Sequence, residues 1–184
     1  MPTNWKKIRK ISFIILGIVG LVFGGLYLFA CYTFNEKYTP SQNEHEHRIA
    51  YIDREKSLLS EDFQTCNEYI YDYYNPKRAT YITGKNGLRK FVLENYKNKA
   101  YTDSGYLNIR FVINCKGKTG RYVIHENDLN LKPKKFTTEL KEQLFDLTTQ
   151  LSEWNPNIIR DEKVDSYMYI SYRIENGEIT EILP

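Results

Sequence analysis

From Ile11 to Ala30 the chain reads ISFIILGIVGLVFGGLYLFA, without a charge and with Ser12 as its one polar side chain. At 1.5 Å per residue a helix of this length spans roughly 30 Å, the thickness of a bilayer's hydrocarbon core. Residues 11–31 are therefore expected to form a transmembrane helix. The polar stretch from Thr33 to Glu46, with Pro40, Ser41 and Asn43, reads as a linker. Beyond it Ile49, Ile52, Leu59, Phe63, Cys66, Ile70 and Tyr73 alternate by three and four, with Lys56 in the missing slot. That spacing predicts a helix, or two broken near Ser60, from about 47 to 74, so that 32–75 becomes a linker and amphipathic helical stalk. Such a helix could dimerise the chain or lie on its own domain, and the charged seam position Lys56 favours the second use.

Residues 76–184 carry both helical and strand periods. Leu88, Phe91, Val92 and Tyr96 follow Gly84 and Gly87 at helical spacing. From Tyr106 to Ile113, Leu107, Ile109, Phe111 and Ile113 face one way, the alternation of a half-buried strand. The turn Asn114-Cys115-Lys116-Gly117 leads to a return strand at 121–125. Phe136, Leu140, Leu144, Leu147 and Leu151 recur every three or four positions, with Glu139, Lys141, Glu142 and Asp146 outward. Trp154-Asn155-Pro156 stops that helix. The run from Val164 to Ile174 alternates Tyr167, Tyr169, Ser171 and Arg173 against Met168, Ile170, Tyr172 and Ile174. Asn176-Gly177 signals a tight hairpin, with a short last strand to Leu183. The expected class is α+β: a transmembrane helix, a helical stalk, and a small sandwich of a three- to four-stranded antiparallel sheet packed on one side by two helices.

Charge sets the orientation of the span. Lys6, Lys7, Arg9 and Lys10 precede it, whereas the first charges beyond it, Glu36 and Lys37, nearly cancel. The positive-inside rule places residues 1–10 in the cytoplasm as a basic tail and exports everything after the helix, with membrane lipid as a partner. Trp5, Tyr27 and Tyr32 lie near its ends, where amphipathic rings favour the interface. The 184 residues carry a net +3, with a pI near 8.6 and a mean hydropathy of −0.57. Taking away the four tail cations leaves the remainder at about −1. No concentrated basic surplus points to nucleic acid.

The candidate chemistry is sparse. The span is longer than the apolar run of a cleaved signal peptide. Leu28-Phe29-Ala30-Cys31 resembles a bacterial lipobox, which would make Cys31 a lipidation site, although Phe29 is bulky there. Gly20 and Gly24 form a GxxxG, either a packing face for a neighbouring helix or simply two membrane-helix glycines. Glu44-His45-Glu46-His47 offers imidazoles and carboxylates, but a linker fixes none of them and no metal is expected. Cys66 and Cys115 fall in the exported part, where disulfides form, yet no spacing rule pairs them, and a helix position against a turn position argues for separate thiols. None of the three histidines lies in a catalytic motif; His125 reads as a surface residue of the return strand. Neither an enzyme nor a cofactor is expected.

The order of motifs over residues 81–174 resembles the C-terminal domain of the TonB energy-transducer family. The match comprises Gly84, Gly87, Leu88 and Glu94-Asn95-Tyr96, then Gly105, Phe111, Ile113 and Gly117, then Trp154, Pro156 and the run after Val164. It covers about half the chain. The resemblance implies a periplasmic domain on an inner-membrane anchor in a Gram-negative envelope. Its last strand would dock an extended segment of an outer-membrane transporter or another envelope protein, through Tyr167, Tyr169, Ser171 and Arg173. Trp154, Pro156 and Gly117 would be fold determinants. It also implies transport coupled to proton-driven motor subunits. Against that coupling, the span lacks the family's usual histidine and the linker lacks its long Pro-rich spacer. Residues 32–60 reach only about 100 Å fully extended, and roughly 30 Å as coil. A strand at 178–183 would also cover the edge a docked segment needs. The alternative is a membrane-anchored or lipidated interaction module, without a motor, in envelope assembly or sensing.

Overall fold

The structure, a computed structural model, describes residues 5–38, 51–72 and 76–183 and divides into two units at residue 49. The first unit contains helix α1, Trp5–Tyr38. Within it Ile8–Thr33, 26 residues of mean hydropathy 2.5, is long and apolar enough to cross a membrane. α1 runs through residues 33–38, where the sequence had suggested a linker. No proline or glycine occurs between Gly25 and Pro40, so nothing interrupts the backbone ladder, and the helix ends just before the position that a following proline restricts. The rest of that linker, with Glu44 to His47, lies outside the described residues.

The second unit is built on a four-stranded antiparallel sheet. Its strands are β2 (Gly105–Ile113), β3 (Thr119–Asn127), β7 (Ser166–Glu175) and β8 (Glu178–Leu183), in the order β3-β2-β7-β8. Helices α2 (Gly84–Asn95) and α3 (Thr138–Thr149) cover one face. Two two-stranded pieces complete the unit: β1 (Thr80–Tyr81) with β4 (Trp154–Asn155), and β5 (Asn157–Ile159) with β6 (Glu162–Val164). The strand periods place Leu107, Ile109, Phe111 and Ile113 of β2 and Met168, Ile170, Tyr172 and Ile174 of β7 in one core. Leu88 and Val92 of α2 and Leu140, Leu144 and Leu147 of α3 pack onto them. Residues two apart on a strand share a face, so a single register, Ile109 opposite Ile170, sets the whole layer.

Among the described residues the helical stalk is not formed. Residues 51–72 contain no helix; they cross the other face of the sheet as an irregular strap. Ile52, Phe63 and Ile70 are buried there with Val112 and Tyr167. The apolar positions that mimicked a heptad thus meet a flat sheet rather than a second helix. Local chemistry opposes the helix as well: the Asp53 carboxylate accepts from the Glu55 amide at 2.9 Å, a turn that competes with helical bonds. Leu59 takes a left-handed conformation, φ 53°. The strap is tied to β3 by reciprocal Leu58–Tyr122 backbone bonds of 2.8 and 2.9 Å. Tyr71 bonds in parallel to the start of β7, donating to the Asp165 carbonyl and accepting from the Tyr167 amide.

Burial leaves a mark on the tyrosines of these two layers. It pushes the Tyr122 phenol up to about 12, against a small opposing effect of Thr119, and the Tyr167 phenol up to about 12. A phenol whose folded pKa is raised stabilises the fold fully below the unfolded value near 10, and that contribution is lost as pH rises from there to the folded value. The denaturation midpoint of the full chain should therefore fall between about pH 10 and 12. Tyr122→Phe and Tyr167→Phe should each flatten that decline, and an unaltered slope in both variants would contradict the assignment.

Candidate functional site

A sheet can offer a partner its faces and its edges, and the positions predicted for docking occupy neither freely. β7 lies between β2 and β8, so Tyr167, Tyr169, Ser171 and Arg173 sit on an interior strand. Tyr167 is buried beneath the strap. Tyr169 pairs in register with Arg110. The Ser171 hydroxyl donates to the Asn108 side chain. Arg173 bridges Glu175 at 2.7 Å and Glu181 at 3.1 Å. The strand inferred from the resemblance is thus an interior one: β2 pairs along its whole length, and β8 takes the other side from Ser171 to Glu175, which leaves no ladder to extend over that stretch.

The edge passes to β8. The alternation of backbone groups shows which of its amides are available. Asp165 and Tyr167 turn their backbone groups away from β2, toward Tyr71, so the odd-numbered residues of β7 face the β8 side. Arg173 lies opposite Glu181, and Ser171 opposite Leu183. Glu181 and Leu183 consequently bond inward, while Ile182 points its N–H and C=O groups outward. The register then shifts between Arg173 and Ile174, leaving Thr180 as the extra residue of a bulge, so that Ile179, opposite Ile174, is the other residue with an outward N–H. No strand lies on that side among the described residues. Ile182 buries its side chain in the core at the same time, which holds this backbone in place.

The hairpin leading into β8 is fixed from three directions. Asn176 and Gly177 both take positive φ, 51° and 77°, the two-residue turn suited to sheet twist. The Gly177 amide donates to the Asp103 carbonyl at 2.8 Å, and the Asn176 amide to the Ser104 hydroxyl at 2.9 Å. The Tyr96 hydroxyl donates to the Gly177 carbonyl, and the Asn98 amide to Glu178 at 2.8 Å. Burial, followed by the charge of Glu178, raises the pKa of Tyr96, which keeps this donor protonated.

A second constellation was not legible in the sequence. Cys66 and Cys115 form a disulfide, contrary to the expectation of separate thiols. Cys66 lies on the strap rather than on a helix, so the obstacle to pairing disappears. Asp165, fully buried, joins both ends: its Oδ1 accepts from the Cys115 amide at 2.8 Å, and its Oδ2 from the amides of Cys66 and Asn67 at 2.8 and 2.7 Å. Asp165 and the two sulfurs are grouped closely enough for a metal, but the sulfurs are spent on each other, and the carboxylate is committed to three amides.

The other singled-out residues fall as follows. Trp154 is buried against Tyr81 and Phe111, each at 5.5 Å between ring centroids, and its indole N–H donates to the Leu151 carbonyl. Gly117 takes φ +77° with its Cα against the Trp154 carbonyl, where a Cβ would collide. Pro156 separates β4 from β5. On α1, a Cβ at Gly20 or Gly24 would meet open space, and Cys31 is exposed in a helix that continues beyond it. His125 is exposed on β3, and burial followed by the Arg110 charge lowers its pKa.

No protein-family model, curated protein or solved structure matches this chain. The TonB resemblance consequently rests on the ordered motifs alone.

Proposed function

We propose that the chain is a membrane-anchored interaction module that takes up an extended segment of an envelope protein as a fifth strand along β8. The observation that carries this reading is the outward backbone of Ile179 and Ile182 on a rigidly held edge strand. α1 serves as the anchor, with the basic residues of its N-terminal turns in the cytoplasm and the sheet domain on the periplasmic side of an inner membrane. The Cys66–Cys115 bond supports an oxidising compartment for that domain. The partner is an outer-membrane transporter or another envelope protein, as the resemblance suggests. The absence of charge between Ile11 and Ala30 favours anchoring over coupling to proton-driven motor subunits.

Two proline substitutions separate docking from folding. Ile179→Pro removes an outward N–H and leaves the β7 ladder intact, so beyond the packing of its half-buried side chain, which Ile179→Ala loses equally, it should cost less than about 1 kcal/mol, as proline does on a solvent-facing edge. Glu181→Pro removes an inward N–H and should cost about 3 kcal/mol. A photocrosslinker at exposed Glu178 in intact cells should capture an envelope protein in the wild type and in Ile179→Ala and lose that product in Ile179→Pro. An undiminished product in a stably folded Ile179→Pro would exclude strand addition at this edge.

A further inference from the structure

We propose that the cavity between β1, the start of α2 and the Met168–Tyr169 stretch of β7 is a binding site for a small aromatic carboxylate. The cavity measures about 190 Å³. An apolar cavity of roughly 150 Å³ accommodates one benzene ring, so a single ring with a short tail fills this one. Its inner wall is apolar: Tyr81, Leu88, Trp154 and Met168. Leu88 and Trp154 are buried, and the Tyr81 and Trp154 rings stand edge to face. A ring entering here meets aromatic edges and a thioether, both favourable partners for a π-face.

Two cations also line the cavity, Arg78 and Lys85, and both are exposed. The neighbouring Lys77 is bound to Asp161 at 2.9 Å, whereas neither Arg78 nor Lys85 makes an ion pair among the described residues. Apolar walls with uncompensated positive charge select an amphiphile whose apolar end is compact and whose polar end is an anion. Arg supplies planar two-point recognition of a carboxylate and Lys a mobile point charge. The site is separate from the β8 edge and does not depend on strand addition.

Trp154 reports on this cavity directly. The full chain in lipid nanodiscs, carrying Trp5→Phe, has Trp154 as its sole tryptophan. Titration with 3-phenylpropionate should shift its emission saturably, with a dissociation constant near or below about 1 mM, as ligands of this size can reach. The alcohol 3-phenylpropan-1-ol, which lacks the charge, and hexanoate, which lacks the ring, should each bind at least about tenfold more weakly. The double variant Arg78→Gln, Lys85→Gln replaces two exposed side chains and should keep its circular dichroism. It should weaken the acid about tenfold and leave the alcohol unaffected. A response that fails to saturate by about 10 mM overturns the proposal. So does equal affinity for acid and alcohol, or for acid and hexanoate, or an unchanged affinity in the double variant.

Discussion

Full-length protein carrying Cys66→Ser and Cys115→Ser should lose roughly 4 kcal/mol of stability, the chain-entropy value for a closed loop of this length. The cysteines are 49 residues apart, and the bond joins the strap to the turn after β2. Without it, Ile52, Phe63 and Ile70 must hold the strap with few supporting backbone bonds. The loss should be uneven. Strap amides such as Leu58 and Tyr71 should exchange with solvent first, while Ile109 and Ile170 remain protected, because a weakly tied segment opens at lower free energy than the sheet. Denaturation in the presence and absence of a dithiol reductant reads the same difference without mutation. Identical midpoints would show that the bond does not tie the strap down.

Asp165→Ala should cost about 4 kcal/mol, from one side chain that touches no partner. It withdraws the acceptor from three backbone N–H groups, and a partly buried donor left unsatisfied costs about 1–3 kcal/mol. A carboxylate acceptor is also stronger than a neutral one. Both ends of the disulfide hang on this carboxylate, so the two losses should not add: in the serine background Asp165→Ala should cost at least about 1 kcal/mol less. Thermal denaturation of the four proteins closes the cycle. Strict additivity would mean that Asp165 and the disulfide hold different parts of the strap.

The contrast between the two layers explains what the sequence revealed. The helix-covered face announced itself because each of its elements obeys one period: β2 and β7 by twos, α3 by threes and fours. α1 was legible from length and apolarity, and the β7–β8 hairpin from Asn176-Gly177. The strap was misread because its buried residues are spaced by the footprint of an irregular chain on a sheet, and that spacing coincides with a heptad by number alone. Its determinants are non-local: Asp165 lies 99 residues from the Cys66 amide it receives. In the sequence Asp165 reads only as a polar interruption before a tyrosine-rich strand. The β5–β6 hairpin was missed for a different reason: Arg160 and Asp161 take φ of 51° and 65° without a glycine to signal it.

The docking site shifted by one strand for a reason the sequence already contained. The resemblance assigned the edge to the Tyr167–Arg173 run, while the hairpin signal after it demanded another strand on that side. In the structure the hairpin prevails. Tyrosines that read as a contact surface instead divide between burial under the strap and cross-strand pairing. The cavity beside Trp154 was hidden too, because it depends on the pairing of β1 with β4, two residues each.

Amide hydrogen exchange at Ile179, Glu181, Ile182 and Leu183 tests strand addition most directly. In the isolated full-length chain in nanodiscs, Glu181 and Leu183 should be protected while Ile179 and Ile182 exchange rapidly. On addition of solubilised outer-membrane proteins, Ile179 and Ile182 alone should slow, by about tenfold or more. Protection of all four in the isolated chain, or no slowing at Ile179 and Ile182 after the addition, would contradict β8 as the docking edge.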